Sequence, residues 1–147
     1  MPDRVLFLDI DGVMNTLSSP VDPAIGLTSL LLPGCVAALN RVVQATGAVV
    51  VVTSTWRLTM PLAELRAHFR AAGCVAEIVD VTPDLDAPRR DREIAAWLAA
   101  QAEPPRAYCI LDDDRDMDGL PGRLVRTDSR RGLGDDELPR VLALLAE

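Results

Sequence analysis

A short apolar run that ends in two carboxylates constrains this chain more than any other feature. Residues 4–8 (RVLFL) are almost wholly apolar and β-prone, which predicts a buried central strand. Asp9 and Asp11 follow, two positions apart, and then Gly12. Glycine adopts backbone angles that other residues avoid, so the chain can turn here and bring both carboxylates to one crevice. A strand that ends in an ordinary Asx turn has the same pattern.

Two carboxylates this close repel each other unless a cation lies between them or one of them is protonated. A hard divalent cation such as Mg²⁺ takes oxygen ligands and relieves the repulsion. The pair formed by Asp9 and Asp11 therefore indicates either a metal site or a plain turn. The residues at the other strand ends distinguish between the two.

The rest of the chain alternates between apolar runs and helical periodicity. Short apolar runs predict four further strands, at residues 48–52, 75–81, 107–111 and 124–127. Apolar residues at helical spacing predict four helices: from Pro33 to Gly47, from a Thr59 N-cap to Gly73, from the end of the 82–90 loop to about Ala102, and over 135–145 with acidic residues in the first turn. This order predicts an α/β fold, a three-layer α/β/α Rossmann-like parallel sheet with helices on both faces.

Composition limits the compartment and the partners. A chain of 147 residues fits one domain, residues 1–147. The net charge of −7 and the lack of a basic stripe argue against a general nucleic-acid surface. No run approaches the ~20 apolar residues of a bilayer span and no signal peptide is visible, so we expect no membrane partner. Cys35, Cys74 and Cys109 lie far apart in apolar segments, which is typical of buried thiols in a reducing compartment and predicts a cytoplasmic protein.

Polar side chains follow the other predicted strands. The second strand leads into residues 53–57 (TSTWR), the fourth leads into residues 112–114 (DDD), and the loop before the third helix carries Arg89, Arg90 and Arg92. The ligand site of a parallel sheet lies at the carboxyl ends of its strands, so we expect these groups to converge. Each group alone is typical of a turn or a solvated surface. Their joint placement indicates a site.

Four motifs in this order resemble those of the haloacid dehalogenase-like phosphohydrolase superfamily, over nearly the whole chain. Residues 9–13 (DIDGV) are similar to the first motif, and Thr53, or alternatively Ser54, to the hydroxyl of the second. The third motif is a Lys or Arg ahead of a helix, and the spacing of Arg90 to its helix resembles small members related to RNA-repair phosphatase domains. Residues 108–113 (YCILDD) match the fourth.

The resemblance implies a role for each residue. Asp9 would be the nucleophile and Asp11 the general acid/base, while Thr53 and Arg90 would hold the phosphoryl oxygens. The implied magnesium ligands come from the acidic pairs at the two strand ends, Asp9 with Asp11 and Asp112 with Asp113. Asp11 would bind through its backbone carbonyl, and the others through their carboxylates. Which of Asp112 and Asp113 binds the metal directly is left open. We further expect substrate contacts from the residues that flank the motifs, Ser54, Gly12 and Arg57.

These roles predict a Mg²⁺-dependent phosphomonoester hydrolase with an aspartyl-phosphate intermediate on Asp9. All 15 cations are arginine, and the absence of lysine excludes a receiver domain, which needs a lysine, and a P-loop enzyme. Two alternatives remain. One is a phosphotransferase of the same fold, and the other is a catalytically silent member that serves as a binding or regulatory module.

Large members of this superfamily select substrates with an inserted cap domain. Here the intervals 12–48 and 57–107 are taken up by predicted helices, strands and loops, so no sizeable cap fits. An open site suits a phosphorylated small molecule or an exposed phosphate on a macromolecule. We expect residues 14–32 to form a flap over the site, with the apolar side chains of Val13, Met14 and Leu17 shielding the aspartyl-phosphate and Asn15 facing the leaving group.

Overall fold

The computed structural model describes residues 3–16, 18–20, 30–85 and 89–146. These residues form five β-strands: β1 (Arg4–Leu8), β2 (Val49–Val52), β3 (Ile78–Val81), β4 (Ala107–Asp112) and β5 (Leu124–Arg126). They also form four α-helices: α1 (Pro33–Thr46), α2 (Leu62–Ala71), α3 (Arg90–Ala99) and α4 (Leu138–Ala146). A 3₁₀ helix at Thr55–Leu58 lies between β2 and α2. The predicted alternation of strands and helices is confirmed.

The five strands run parallel in one sheet, in the order β3-β2-β1-β4-β5, with β1 at its centre. Leu8, the last residue of β1, pairs with Val52 on one side and with Leu111 on the other. The residues that follow, Asp9 and Thr53, continue this register through their amide groups, which donate to the carbonyls of Leu111 (3.0 Å) and Leu8 (2.9 Å). The register therefore places Asp9, the first polar residue after β1, level with the first polar residues that follow the apolar runs of β2 and β4.

Each face of the sheet has its own apolar core. Leu6 and Leu8 point to the face covered by α1, α2 and α4. Val5 and Phe7 point to the face covered by α3, where Trp97 packs edge-on against Phe7 at 5.5 Å between ring centroids. Since successive side chains of a strand alternate between faces, the polar residue after Leu8 is directed toward the α3 face. The three-layer α/β/α architecture predicted from the sequence is confirmed.

Several boundaries differ from those predicted. The third strand begins at Ile78 rather than Val75, whose side chain is 58% exposed and has no sheet partner to pack against. Helix α2 has Pro61 as its N-cap, whereas Thr59 ends the preceding 3₁₀ helix. Helix α3 ends at Ala99, three residues early.

The last helix also begins later than predicted, because its acidic residues form the turn that leads into it. Helix α4 starts at Leu138, and no acidic residue lies in its first turn. The Glu137 carboxylate accepts a hydrogen bond from the Gly134 amide at 3.1 Å, and its carbonyl accepts the amide of Val141. Residues 135–137 therefore form a turn, and Glu137 lies directly before the first residue of the helix.

No cap domain is present among the described residues. Part of the predicted flap, including Leu17 and residues 21–29, lies outside them. The prediction that Val13 and Met14 shield the aspartyl-phosphate is wrong, because both side chains are fully buried in the core on the α1 face. Whether the segment closes over a substrate stays a prediction. Within the described ranges no helix is both long and apolar enough to cross a bilayer.

Candidate active site

Three aspartates converge at the carboxyl edge of the sheet. Carboxylate oxygens of Asp9, Asp112 and Asp113 lie within 4.8 Å of one another. The cause is the parallel register, because β1 and β4 are neighbours and both end in acidic residues. Asp9 is 5% exposed and Asp112 is completely buried. Buried carboxylates this close require compensation by positive charge or protons.

Arg90 supplies part of that compensation. It is the first residue of α3, and its Nη1 lies 3.1 Å from Asp9 Oδ2 and 2.9 Å from Asp112 Oδ2. Although burial alone would lower it, the pKa of the guanidinium is raised by Asp9 and Asp112. Of the three arginines near this helix start, Arg89 pairs instead with Asp91 at 3.0 Å and Arg92 is exposed.

Two of the three carboxyl groups, those of Asp9 and Asp113, nevertheless have a raised pKa. Burial, followed by repulsion from Asp112, raises the pKa of Asp9 to about 8, while Arg90 opposes the shift. Burial also raises the pKa of Asp113, with further contributions from its hydrogen bond to Asp112 and from the charge of that residue. These groups titrate as a cluster and not as isolated acids.

The donor set fits Mg²⁺. Three carboxylates and one guanidinium leave two negative charges when every group is ionised, which one divalent cation would balance. Oxygen ligands are those that Mg²⁺ prefers. Both oxygens of Asp112 already accept hydrogen bonds, from Arg90 and from the Asp114 amide. Ligation by the backbone carbonyl of Asp11 stays a prediction.

Gly12 allows the two acidic strand ends to approach each other. Its φ of +85° is in the left-handed region, and a Cβ atom placed here would overlap Asp113 Oδ2. Its amide donates to Asn15 Oδ1 at 3.0 Å, and its carbonyl accepts the hydroxyl of Thr127 at 2.7 Å. The glycine is thus fixed from both sides in a position that leaves no room for a side chain.

Gly12→Ala should therefore displace Asp113 and strain the backbone, with a loss of about 1–3 kcal/mol in the free energy of unfolding. Gly34→Ala is the matched control, because an added Cβ in helix α1 meets no atom within 4 Å. Alanine there should be neutral or stabilising by up to about 1 kcal/mol. Urea denaturation of both variants measures the difference, and equal stability of the two would contradict this role of Gly12.

The carboxylate of Asp11 is not part of the aspartate cluster and is held by two other side chains. Its carboxylate accepts a hydrogen bond from Asn15 Nδ2 (2.9 Å) and from Trp56 Nε1, which is 3.2 Å from each oxygen. No sequence pattern indicates that Trp56 reaches Asp11, since the two residues are 45 positions apart. For Asn15, the only sequence signal is its position four residues after Asp11.

The two hydroxyl residues after β2 differ in their surroundings. The Thr53 side chain is completely buried, and its Oγ1 has no hydrogen-bond partner among the described residues. The Ser54 oxygen accepts the amide of Trp56 at 3.2 Å and caps the 3₁₀ helix. A buried hydroxyl without a partner destabilises the fold, and a bound phosphoryl oxygen would remove that cost by accepting its hydrogen bond. Thr53 is therefore the better candidate of the two for a phosphoryl contact.

Arg57 links three segments around the site. Its guanidinium pairs with Glu93 of α3 at 2.8 Å, and both side chains are at most 5% exposed. The remaining N–H groups donate to backbone carbonyls of the two strand-end loops, those of Thr82, Thr53, Ser54 and Pro83. All five guanidinium donors thus have protein partners. The predicted direct contact of Arg57 with substrate stays a prediction, and sequence reasoning missed Glu93 as its partner.

A parallel sheet whose central strand ends in an aspartate pair, with an arginine and a second aspartate pair beside it, defines a small haloacid dehalogenase-like (HAD) domain. The chain belongs to the family described as "HAD domain in Swiss Army Knife RNA repair proteins", whose model matches residues 5–138. No curated protein matched the chain in a sequence comparison. The family supports a hydrolase or phosphotransferase-like function of the HAD type.

Proposed function

We propose that this domain is a Mg²⁺-dependent phosphomonoester hydrolase, a phosphatase that works through an aspartyl-phosphate on Asp9. The observation that supports it best is the position of Asp9 at the end of the central strand. There it contacts Arg90 and lies beside the aspartates that follow β4. A carboxylate nucleophile next to fixed positive charge is what attack on a phosphate ester requires.

In the first half of the reaction, a carboxylate oxygen of Asp9 attacks phosphorus and the bond to the leaving oxygen breaks. Asp11 gives its proton to that oxygen, so the alcohol leaves neutral and Asp11 becomes a carboxylate. Thr53 and Arg90 hold the other phosphoryl oxygens. Mg²⁺ held by Asp9 and Asp113, with Asp112 beside them, would neutralise charge and position the phosphate.

In the second half, Asp11 acts as a base. It takes a proton from a water molecule whose oxygen attacks phosphorus, and the bond between phosphorus and Asp9 breaks. Inorganic phosphate leaves, Asp9 is again a carboxylate, and Asp11 again carries the proton. Each residue is thereby restored for the next turnover.

The substrate class is proposed from the access to the site. A cavity of about 590 Å³ opens beside Arg90 and Asp113, with Arg89, Asp84 and Asp114 also in its wall. An opening of this kind accepts a phosphorylated small molecule or an exposed phosphate on a macromolecule. We expect no membrane partner, no general nucleic-acid surface and a cytoplasmic location. The buried, unpaired cysteines suit a reducing compartment.

A panel of phosphorylated metabolites, phosphopeptides and oligonucleotides with a 5′- or 3′-phosphate tests the proposal. The oligonucleotides are included because the name of the family refers to RNA repair proteins. We expect phosphate release with Mg²⁺ and none after EDTA treatment. Full activity in EDTA would overturn the metal requirement, and transfer of phosphate to added alcohols without release to water would show a phosphotransferase.

The raised pKa of Asp9 predicts how pH and Mg²⁺ act on stability. A carboxyl group with a raised pKa in the folded state stabilises the protein while it is protonated, and this contribution is lost as pH rises from about 4 to about 8. The melting temperature in EDTA should therefore fall over this window, by an amount on the order of 5–10 °C. Since Mg²⁺ binds the ionised form, its stabilising effect should increase with pH.

Thermal melts of the wild type and of Asp9→Asn, each with EDTA and with Mg²⁺, isolate this contribution from that of other titrating groups. Asparagine cannot ionise, so in EDTA the variant should lack this fall, and the difference in melting temperature between the two proteins should be smallest at low pH and grow as pH rises from about 4 to about 8. With Mg²⁺, which stabilises the ionised wild type, the difference at high pH should shrink or reverse. Parallel curves for the two proteins at all pH values would contradict the assignment.

A further inference from the structure

The carboxylate of Asp11 receives more hydrogen bonds than its exposure requires. Asp11 is exposed and water could solvate it, yet Asn15 and Trp56 both direct N–H groups at it. Trp56 Nε1 is 3.2 Å from Oδ1 and 3.2 Å from Oδ2, so the indole bisects the carboxylate. Two buried side chains that meet on one exposed carboxylate fix its direction.

Both donors are themselves held rigidly. Asn15 is 2% exposed, and its Oδ1 accepts the Gly12 amide, so its amide group cannot rotate without losing that bond. Trp56 is 7% exposed and packs in the core on the α1 face. These contacts leave the two N–H donors with one direction each.

The short helix that carries Trp56 is held at its N-terminus and through the side chain of Arg57. Ser54 caps it through the Trp56 amide, and the next residue, Arg57, is joined to Glu93 and to four carbonyls. Local capping and a buried ion pair together remove the freedom that a loop would have. Residues 53–57 therefore combine a Thr53 hydroxyl that has no partner among the described residues with a short helix that holds the indole in place.

We propose that Trp56 and Asn15 are positioning residues, which hold the Asp11 carboxyl group in the orientation from which it transfers a proton to the leaving oxygen. This inference rests on the proposed phosphatase function. Proton transfer by a side chain depends on its placement, and a displacement of about 1 Å can cost as much as 10²-fold in rate. Trp56 acts through Asp11 and does not need to touch the substrate.

A positioning role for Trp56 and Asn15 has a kinetic consequence that a purely structural role would not have. Proton donation matters most when the leaving group is a poor one, such as an alkoxide, and least when it is a good one, such as dinitrophenolate. Loss of correct positioning should therefore slow alkyl phosphates far more than dinitrophenyl phosphate. A general loss of folding or of phosphate binding would slow both equally.

The test is Trp56→Phe, which keeps an aromatic ring and removes the N–H donor. The quantity measured is kcat/KM with Mg²⁺ for a series of phosphate esters of different leaving-group pKa, because it reports the steps up to the aspartyl-phosphate. We expect a fall of roughly 10- to 100-fold for alkyl phosphates and less than about threefold for dinitrophenyl phosphate. Asn15→Ala should give the same trend.

Trp97→Phe is a matched control. Trp97 is also 7% exposed, and its Nε1 donates to an aspartate, Asp80 Oδ2, at 2.8 Å, but on α3 and away from Asp11. The Trp97→Phe variant should show the same dependence of kcat/KM on leaving-group pKa as the wild type. In an Asp11→Ala background, Trp56→Phe should have little further effect, because the residue through which it acts is gone.

The indole N–H resonances provide a readout without turnover. The chain has two tryptophans, so Trp97→Phe assigns both signals, and the Trp56 signal should move in Asp11→Ala. An equal fall for good and poor leaving groups, or an additive effect in the Asp11→Ala background, would overturn the positioning role. A wild type that hydrolyses no ester in the series would instead overturn the proposed function.

Discussion

Asp9→Asn should lower the rate of phosphate release by roughly 10³-fold or more, while the fold is kept. Asparagine has nearly the same shape as aspartate but is a poor nucleophile, so the variant removes the attacking oxygen with little change in packing. Arg90 retains its contact with Asp112, which limits the structural effect. Steady-state turnover with Mg²⁺ measures the loss, and circular dichroism confirms the fold.

Asp91→Asn is the control for this variant. Asp91 is as buried as Asp9, at 3% against 5% exposed, but its partners are Arg89 and the Gly119 amide, and it is not part of the aspartate cluster. We expect its turnover to stay near that of the wild type. Full activity of Asp9→Asn would rule out attack by this residue.

Arg90→Ala should lower kcat/KM by roughly 10²-fold or more, the scale of a lost contact to a charged transition state. Its Nη1 touches both Asp9 and Asp112, so alanine removes the one guanidinium that contacts these two buried acids in the described residues. Arg90→Lys restores the charge without the planar fork and should recover part of the activity. That recovery would separate a loss of charge from a loss of folding.

Arg92→Ala serves as the comparison, since Arg92 lies two positions further along the same helix and is exposed. Its effect on kcat/KM should be small. Arg89→Ala tests the remaining neighbour, whose contact is with Asp91. A larger loss at Arg92 than at Arg90 would show that the third motif has been assigned to the wrong residue.

The sheet and the approach of the acidic strand ends followed from the sequence because both depend on simple patterns. The apolar runs before Asp9 and Asp112 are interrupted by few polar residues, and parallel strands bring their carboxyl ends to one edge. The contact of Arg90 with Asp9 agrees with the spacing of Arg90 to its helix, which distinguishes it from Arg89 and Arg92 in the sequence.

The supporting contacts could not be predicted, because they join residues that are distant along the chain. The bond from Trp56 to Asp11 spans 45 positions and that from Arg57 to Glu93 spans 36. The prediction of Thr59 as a helix N-cap was wrong, because the sequence does not reveal the preceding 3₁₀ helix, which has Thr59 as its C-cap. Thr127, which fixes Gly12, follows an edge strand and carries no motif of its own.

The most direct test of the central claim is identification of the phosphorylated residue after rapid acid quench. Asp11→Asn is the protein to use, because loss of the base should slow hydrolysis of the aspartyl-phosphate, and dinitrophenyl phosphate needs no proton for its leaving group. With Mg²⁺, peptide mass spectrometry should find phosphate on Asp9, and none in the double variant that also carries Asp9→Asn. Phosphate on another residue, or release of dinitrophenol with no phosphorylated protein, would contradict nucleophilic catalysis by Asp9.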